Sequence, residues 1–174
     1  GNNKELLSPP YDTALYYGPV SSTGDGHKMA MEVGAMMHNM EYGKIYPNGI
    51  EVAKGFAKST VSASSEVMRN MSGILVDRNG NRLLDESGSY ASIRDVLLKQ
   101  PDQTLFLVMD QTNWNAFHEI NKNNRLLTDK EVEIWFENNG TTTPIFIRND
   151  DLKAAAEAAG INGDALVKTV EKFN

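Results

Sequence analysis

Apolar residues at Met29, Ala30, Val33, Met36 and Met37 recur at three- and four-residue steps, which predicts an amphipathic helix after the polar start Thr23-Gly24-Asp25-Gly26. Methionine fills irregular gaps, so this face is expected to lie in a core. Alternation from Met40 to Tyr46 predicts a strand that Pro47-Asn48-Gly49 turns. Ser64-Ser65-Glu66 offers a polar cap to a helical turn at Val67-Met68-Arg69. The sharpest local pattern is Ile74-Leu75-Val76-Asp77, then Arg78-Asn79-Gly80-Asn81, then Arg82-Leu83-Leu84-Asp85. Asn-Gly readily takes the positive φ angles of a tight turn, so a hairpin is predicted here.

Farther on, the pattern predicts a helix near 89–100, a buried strand at 104–109 and a helix starting after Asp110. A short strand follows at Ile145-Phe146-Ile147. Asn149-Asp150-Asp151 then caps a helix over 152–159 that Gly160 closes, and a last helix runs over 163–173. Residues 1–22, with Pro9, Pro10, Gly18 and Pro19, read as the tail of a short helix and an irregular connection. Helices and strands alternate irregularly, so the fold class is α+β rather than a βαβ repeat.

Composition narrows the function classes. A chain of 174 residues suits one domain with an ordinary core. The net charge of −6, without any basic cluster interleaved with aromatics, argues against nucleic acid. With no cysteine there is no disulfide or thiolate chemistry, and His27, His38 and His118 share no metal-ligand spacing with carboxylates. No apolar run is long enough for a membrane span. The opening Gly-Asn-Asn-Lys-Glu-Leu-Leu has no signal-peptide pattern and reads as the interior of a longer protein. A cytoplasmic location is expected, with a cell-surface or periplasmic parent left open.

The order of these segments resembles the flavoprotein subunits of fumarate reductases and succinate dehydrogenases. Thr23-Gly24-Asp25-Gly26 with Met29-Ala30 is similar to the TGDG helix of that family, and Asn39-Met40-Glu41-Tyr42 to its DMEF segment. Ser65-Glu66-Val67-Met68-Arg69 resembles its Thr-Glu-Ala-Val-Arg, Gly73 to Glu86 its Asn-Gly turn with Arg-Phe and Asn-Glu, and Asn149–Asn174 the run that closes its cap. The resemblance implies an α+β capping domain over residues 41–174, preceded at 1–40 by a fragment of the FAD-binding core. The implied cofactor is FAD, bound mainly by segments outside this chain, since no complete G-x-G-x-x-G fingerprint is present. The implied partner is a small-molecule enoate or ketone, which receives a hydride from the flavin and a proton from the protein. The isolated chain is expected to be inactive.

Residue by residue, the resemblance brings Thr23, Gly24, Asp25 and Gly26 to the cofactor, and Asp25 also reads as a helix N-cap, a joint role being the favoured reading. Ser65 matches a substrate-binding hydroxyl and Glu66 a member of a proton-delivery chain, although a Ser-Glu helix cap explains them as well. The histidine of the family's His-Pro-Thr is here Tyr46, and the arginine four residues after the Asn-Glu acid is Tyr90. A tyrosine offers one neutral hydroxyl where an arginine offers a permanent, forked cation, so a small dicarboxylate such as fumarate fits less well. Tyr90 is the candidate proton donor or carbonyl clamp, with a half-buried structural tyrosine as its other reading. Arg94, one helical turn on, lies on roughly the same face and could reach the site, with an ordinary surface arginine as its favoured reading. A non-catalytic binding domain on the same scaffold is the competing function class.

Overall fold

The computed structural model describes residues 4–174. After a 3-10 turn at Lys4–Leu6, helix α1 (Asp25–Glu32) precedes strands β1 (Gly49–Ala53) and β2 (Phe56–Ser59) and helix α2 (Val61–Asn70). Strand β3 (Ile74–Val76), helix α3 (Tyr90–Leu97), strand β4 (Phe106–Val108) and helix α4 (Gln111–Asn123) follow. Helices α5 (Asp129–Asn138), α6 (Leu152–Ala158) and α7 (Gly163–Phe173) complete an α+β chain.

Most helix starts are fixed by short polar side chains that accept the otherwise unpaired first N–H groups. Asp110 accepts from Asn113, Asp151 from Ala154, and Asn162 from Ala165. Thr128 and Glu131 form a reciprocal capping box that starts α5. That helix falls outside the elements the sequence pattern predicted.

The two sheets each have two antiparallel strands, β1 with β2 and β3 with β4. In β3, Ile74 and Val76 alternate onto one face and join Ala156, Ile161 and Leu166 of the α6–α7 region in a core cluster. Leu107 of β4 turns the other way and packs on a second cluster of Ala63, Val67, Phe117, Leu127, Val132 and Trp135. The β3–β4 ladder is therefore the layer between two cores.

The hairpin predicted at 74–85 forms only in part. Its turn closes, with Gly80 at φ +77° and Asp77 N–H donating to the Asn81 carbonyl. Val76 then bridges Arg82, and the second arm ends there. β3 takes β4 as its ladder partner, and its Leu75 N–H, facing the other edge, donates 2.8 Å to the carboxylate of Glu86. Glu86 is 2 % exposed and also receives the Arg82 guanidinium through Nε and Nη2. A carboxylate has thus replaced a strand.

Other expectations also shift. Residues 40–46 form no strand: a Cβ at Gly43 would meet the Tyr11 ring at 2.7 Å, so this segment is shaped by an aromatic contact. The hairpin of this region lies at β1–β2, turned at Gly55 with φ +83°. Ile145-Phe146-Ile147 is extended without a ladder, anchored by Phe146 among Trp114, Trp135 and Phe136. α2 starts at Val61, so Ser64–Glu66 lie inside the helix and cap nothing. The methionine helix ends at Glu32, and Met29, Val33 and Met36 are exposed rather than in a core.

Replacing Glu86 by alanine leaves a β3 N–H without a partner and Arg82 without its counter-charge. The expected cost is about 3 kcal/mol in urea unfolding, with Glu86→Gln, which keeps an acceptor, costing less. Equal effects of the two changes would show that the carboxylate's bonds are not what holds this edge.

The ion pair from β2 to α5, Lys58 to Glu131 at 2.7 Å, gives a pH signature. Lys58 holds the Glu131 carboxyl below the ordinary glutamate value, burial opposing it and Thr128 assisting. A lowered folded-state pKa contributes stability above the unfolded value and loses it as pH falls through the folded one. The stability gap between wild type and Glu131→Gln should therefore be constant above about pH 6 and close at acid pH, as read from denaturant midpoints. A gap independent of pH would contradict this.

Candidate functional site

Helix α2 carries Ser65 and Glu66 at adjacent positions, with Arg69 one turn on, four residues after Ser65 and three after Glu66. The loop that Glu86 anchors passes Gly88, whose carbonyl accepts 2.8 Å from Arg69 Nη2. It then starts α3 at Tyr90 behind the Ser89 cap. These two holds bring the Tyr90 hydroxyl to 3.0 Å from Ser65 Oγ, although the residues are 25 positions apart. Both side chains are half-buried.

Tyr46 completes the group. Its ring meets Tyr90 edge-on at 5.9 Å between centroids, and Tyr17 meets Tyr46 in the same manner at 6.4 Å. Such edge-to-face pairs set the positive rim of one ring on the negative face of the next. Cations sit on the same rings, with Arg69 5.0 Å from the centre of Tyr90 and the Lys44 ammonium 4.6 Å from that of Tyr46. Its neighbour Tyr46 also raises the Lys44 pKa above the ordinary lysine value.

A hydroxyl pair sharing one hydrogen bond keeps one hydroxyl hydrogen free, so Ser65 and Tyr90 together can donate to a substrate oxygen. Glu66 stands beside Ser65 on α2, and its carboxylate accepts 2.7 Å from Asn70 Nδ2. Arg94 does not join the group, because its guanidinium is engaged by the carboxylate of Asp95.

Thr23, Gly24, Asp25 and Gly26 form a separate turn at the start of α1. The cap position belongs to Gly24, at φ +84°, and not to Asp25, which is the first helical residue and accepts 2.7 Å from the Thr23 hydroxyl. No side chain caps this helix, and a Cβ at Gly26 would meet nothing within 4 Å. An uncapped helix start with open space beside it suits the hydroxyl or phosphate groups of a dinucleotide. These residues thus fit the edge of an FAD.

Two shallow clefts mark the surface elsewhere. One of about 370 Å³ lies beside Tyr17, Ser59 and Ser62, and one of about 360 Å³ beside Trp114, His118 and Phe136. Ser65, Tyr46 and Tyr90 line neither.

Sequence reasoning paired Ser65, Tyr46 and Tyr90 as site candidates but missed Tyr17, Lys44 and the ring contact of Arg69. Ring-on-ring and cation-on-ring contacts leave no fixed spacing in sequence. Among the described residues, no helix is long and apolar enough to cross a membrane.

Comparison with known proteins gives the chain a family and a fold. The profile of the FAD binding domain family matches residues 2–174. A protein of Shewanella frigidimarina named probable fumarate reductase Ifc3 is 24% identical over 177 residues, which is 100% of this chain and 26% of that protein. A solution structure of a fumarate reductase flavoprotein subunit from Lactobacillus plantarum superposes with a TM-score of 0.54 and 33% identity, over 66% of this chain and 68% of that one. The open conformation of a flavocytochrome c3 fumarate reductase shares the fold with a TM-score of 0.68 and 22% identity, over 98% of this chain and 26% of that one. The chain therefore spans about a quarter of the Shewanella relative's length. It belongs to the FAD-binding flavoprotein family of the fumarate reductases.

Proposed function

We propose that residues 41–174 are the substrate-capping domain of an FAD-dependent oxidoreductase, that residues 1–40 belong to its FAD-binding core, and that the substrate is a conjugated alkene or ketone. The observation that carries this reading is the 3.0 Å contact between Ser65 and Tyr90, two positions the family pattern brings to substrate. Support comes also from α1, which buries no residue and exposes Met29 and Met31, with Val33, Met36 and Tyr42 exposed beyond it. Apolar surface of this extent calls for a covering partner, here the rest of the FAD-binding core.

When bound, FAD supplies the hydride. The chain's own residues supply the polar half of the reaction. Ser65 orients the Tyr90 phenol, and the free hydroxyl hydrogen of the pair points at a carbonyl or a developing carbanion. Glu66, one position from Ser65, feeds the proton. Tyr46 walls the site, with Tyr17 packed edge-on against it. Thr23–Gly26 hold the cofactor edge.

A neutral phenol polarises a carbonyl without demanding a second carboxylate, so enoates and ketones suit the site better than fumarate. The other reading is a non-catalytic binding domain on this scaffold. It is separated by turnover: reoxidation of reduced flavin by an enoate or ketone in the full-length protein supports the enzyme.

In that protein Tyr90→Phe should lower kcat/KM by about 10²–10⁴-fold, the range of a lost general acid, with flavin content unchanged. Normal turnover by this variant would remove Tyr90 from the mechanism. Residues 1–174 alone, folded by circular dichroism, should retain no stoichiometric FAD in titration and show no turnover. Tight FAD binding by this chain would contradict the division between core and cap.

A further inference from the structure

The chain holds four Asn-Gly pairs, beginning at Asn48, Asn79, Asn139 and Asn162. Glycine has no Cβ to shield its backbone nitrogen, so in such a pair that nitrogen can attack the amide carbon of the preceding side chain. The fold decides which pair is free to react, through its hold on the amide and on the glycine N–H.

Three pairs are tied down. Asn48 is 7 % exposed, its carbonyl accepts from the Thr60 N–H at 3.2 Å, and Gly49 opens the β1 ladder opposite Ser59. At the second pair the Gly80 N–H donates to the Asp77 carbonyl at 3.0 Å and Asn79 Nδ2 to the Asp77 carboxylate at 3.2 Å, with Gly80 buried against the start of α7. The Asn162 side-chain oxygen accepts from the Ala165 N–H as the cap of α7, and Gly163 is buried under Lys153.

Asn139 differs from all three. It ends α5 at φ 46°, Gly140 follows at φ 77°, and the Asn138 carbonyl accepts both the N–H and the hydroxyl of Thr141 across this turn. Asn-Gly favours two successive residues at positive φ. The Asn139 side chain is exposed, and among the described residues neither its amide nor the Gly140 N–H has a hydrogen-bond partner.

We propose that Asn139 is a modification site, where the side-chain amide is lost spontaneously ahead of the other three pairs. The Gly140 nitrogen bonds to Asn139 Cγ as its own proton passes to solvent, and the Cγ–Nδ2 bond breaks. The released nitrogen takes a proton from solvent and leaves as ammonia, and water then opens the cyclic imide to aspartate or isoaspartate. Either product sets a new negative charge at the C-terminal end of α5, where the helix dipole is already negative. Isoaspartate also lengthens the backbone inside the Asn138–Thr141 turn. Because α5 places Val132 and Trp135 in a core cluster, conversion loosens a helix that the interior depends on.

The test is incubation of the full-length protein at mildly alkaline pH, followed by peptide mass spectrometry that separates asparagine, aspartate and isoaspartate. Conversion at Asn139 should run roughly tenfold or more ahead of the other three pairs, which react only after local opening. In urea the four rates should converge. Retention of the Asn139 amide, faster conversion at another pair, or a preference for Asn139 that persists in urea overturns the assignment. Amide hydrogen exchange across α5 should lose protection in the incubated wild type, whereas Asn139→Gly, which suits the positive φ and carries no amide, should keep it. The same loss in Asn139→Gly overturns the link between this residue and the helix.

Discussion

The buried carboxylate of Glu86 is the constraint from which the rest of the site follows. A charge at 2 % exposure is tolerable only when its oxygens are fully engaged, and here one backbone N–H and a forked guanidinium engage them. The same bonds end the hairpin after Val76–Arg82 and send the chain across the edge of β3. Arg69 catches the loop again at Gly88, and Tyr90 emerges two residues later with little freedom in where its hydroxyl goes. Placement of the phenol beside Ser65 is thus a by-product of satisfying an edge strand.

Much of the helical part was legible because a cap is a local event. Asp110, Asp151 and Asn162 each bond an N–H three residues on, and the final helix spans Gly163–Phe173 as its pattern implies. Thr128-Asp129-Lys130-Glu131 carried an equally readable capping box, and α5 could have been found from it. Strands were harder, because a strand is defined by its partner. β3 chose the distant β4 over the arm beside it, and Ile145–Ile147 satisfied its pattern through one phenylalanine rather than a ladder.

The methionine face shows a second limit of pattern reading. Periodicity reports that one side of a helix is apolar, and it carries no information on what covers that side. At α1 no described element does. The candidate site was readable only through order, since Ser65, Tyr46 and Tyr90 are ordinary residues until the family sequence sets them in register. The cation-on-ring contacts of Lys44 and Arg69 are visible only in three dimensions.

None of Lys44, Tyr46, Ser65 or Tyr90 belongs to either core cluster, which are built from α2, β3 and helices α4 to α7. These side chains are therefore mounted on the scaffold rather than woven into it. Exchanging one of these side chains for a histidine, an arginine or a different phenol alters what is recognised without asking the interior to repack. Single changes at these four positions therefore leave both core clusters as they are, so each variant should remain a folded protein.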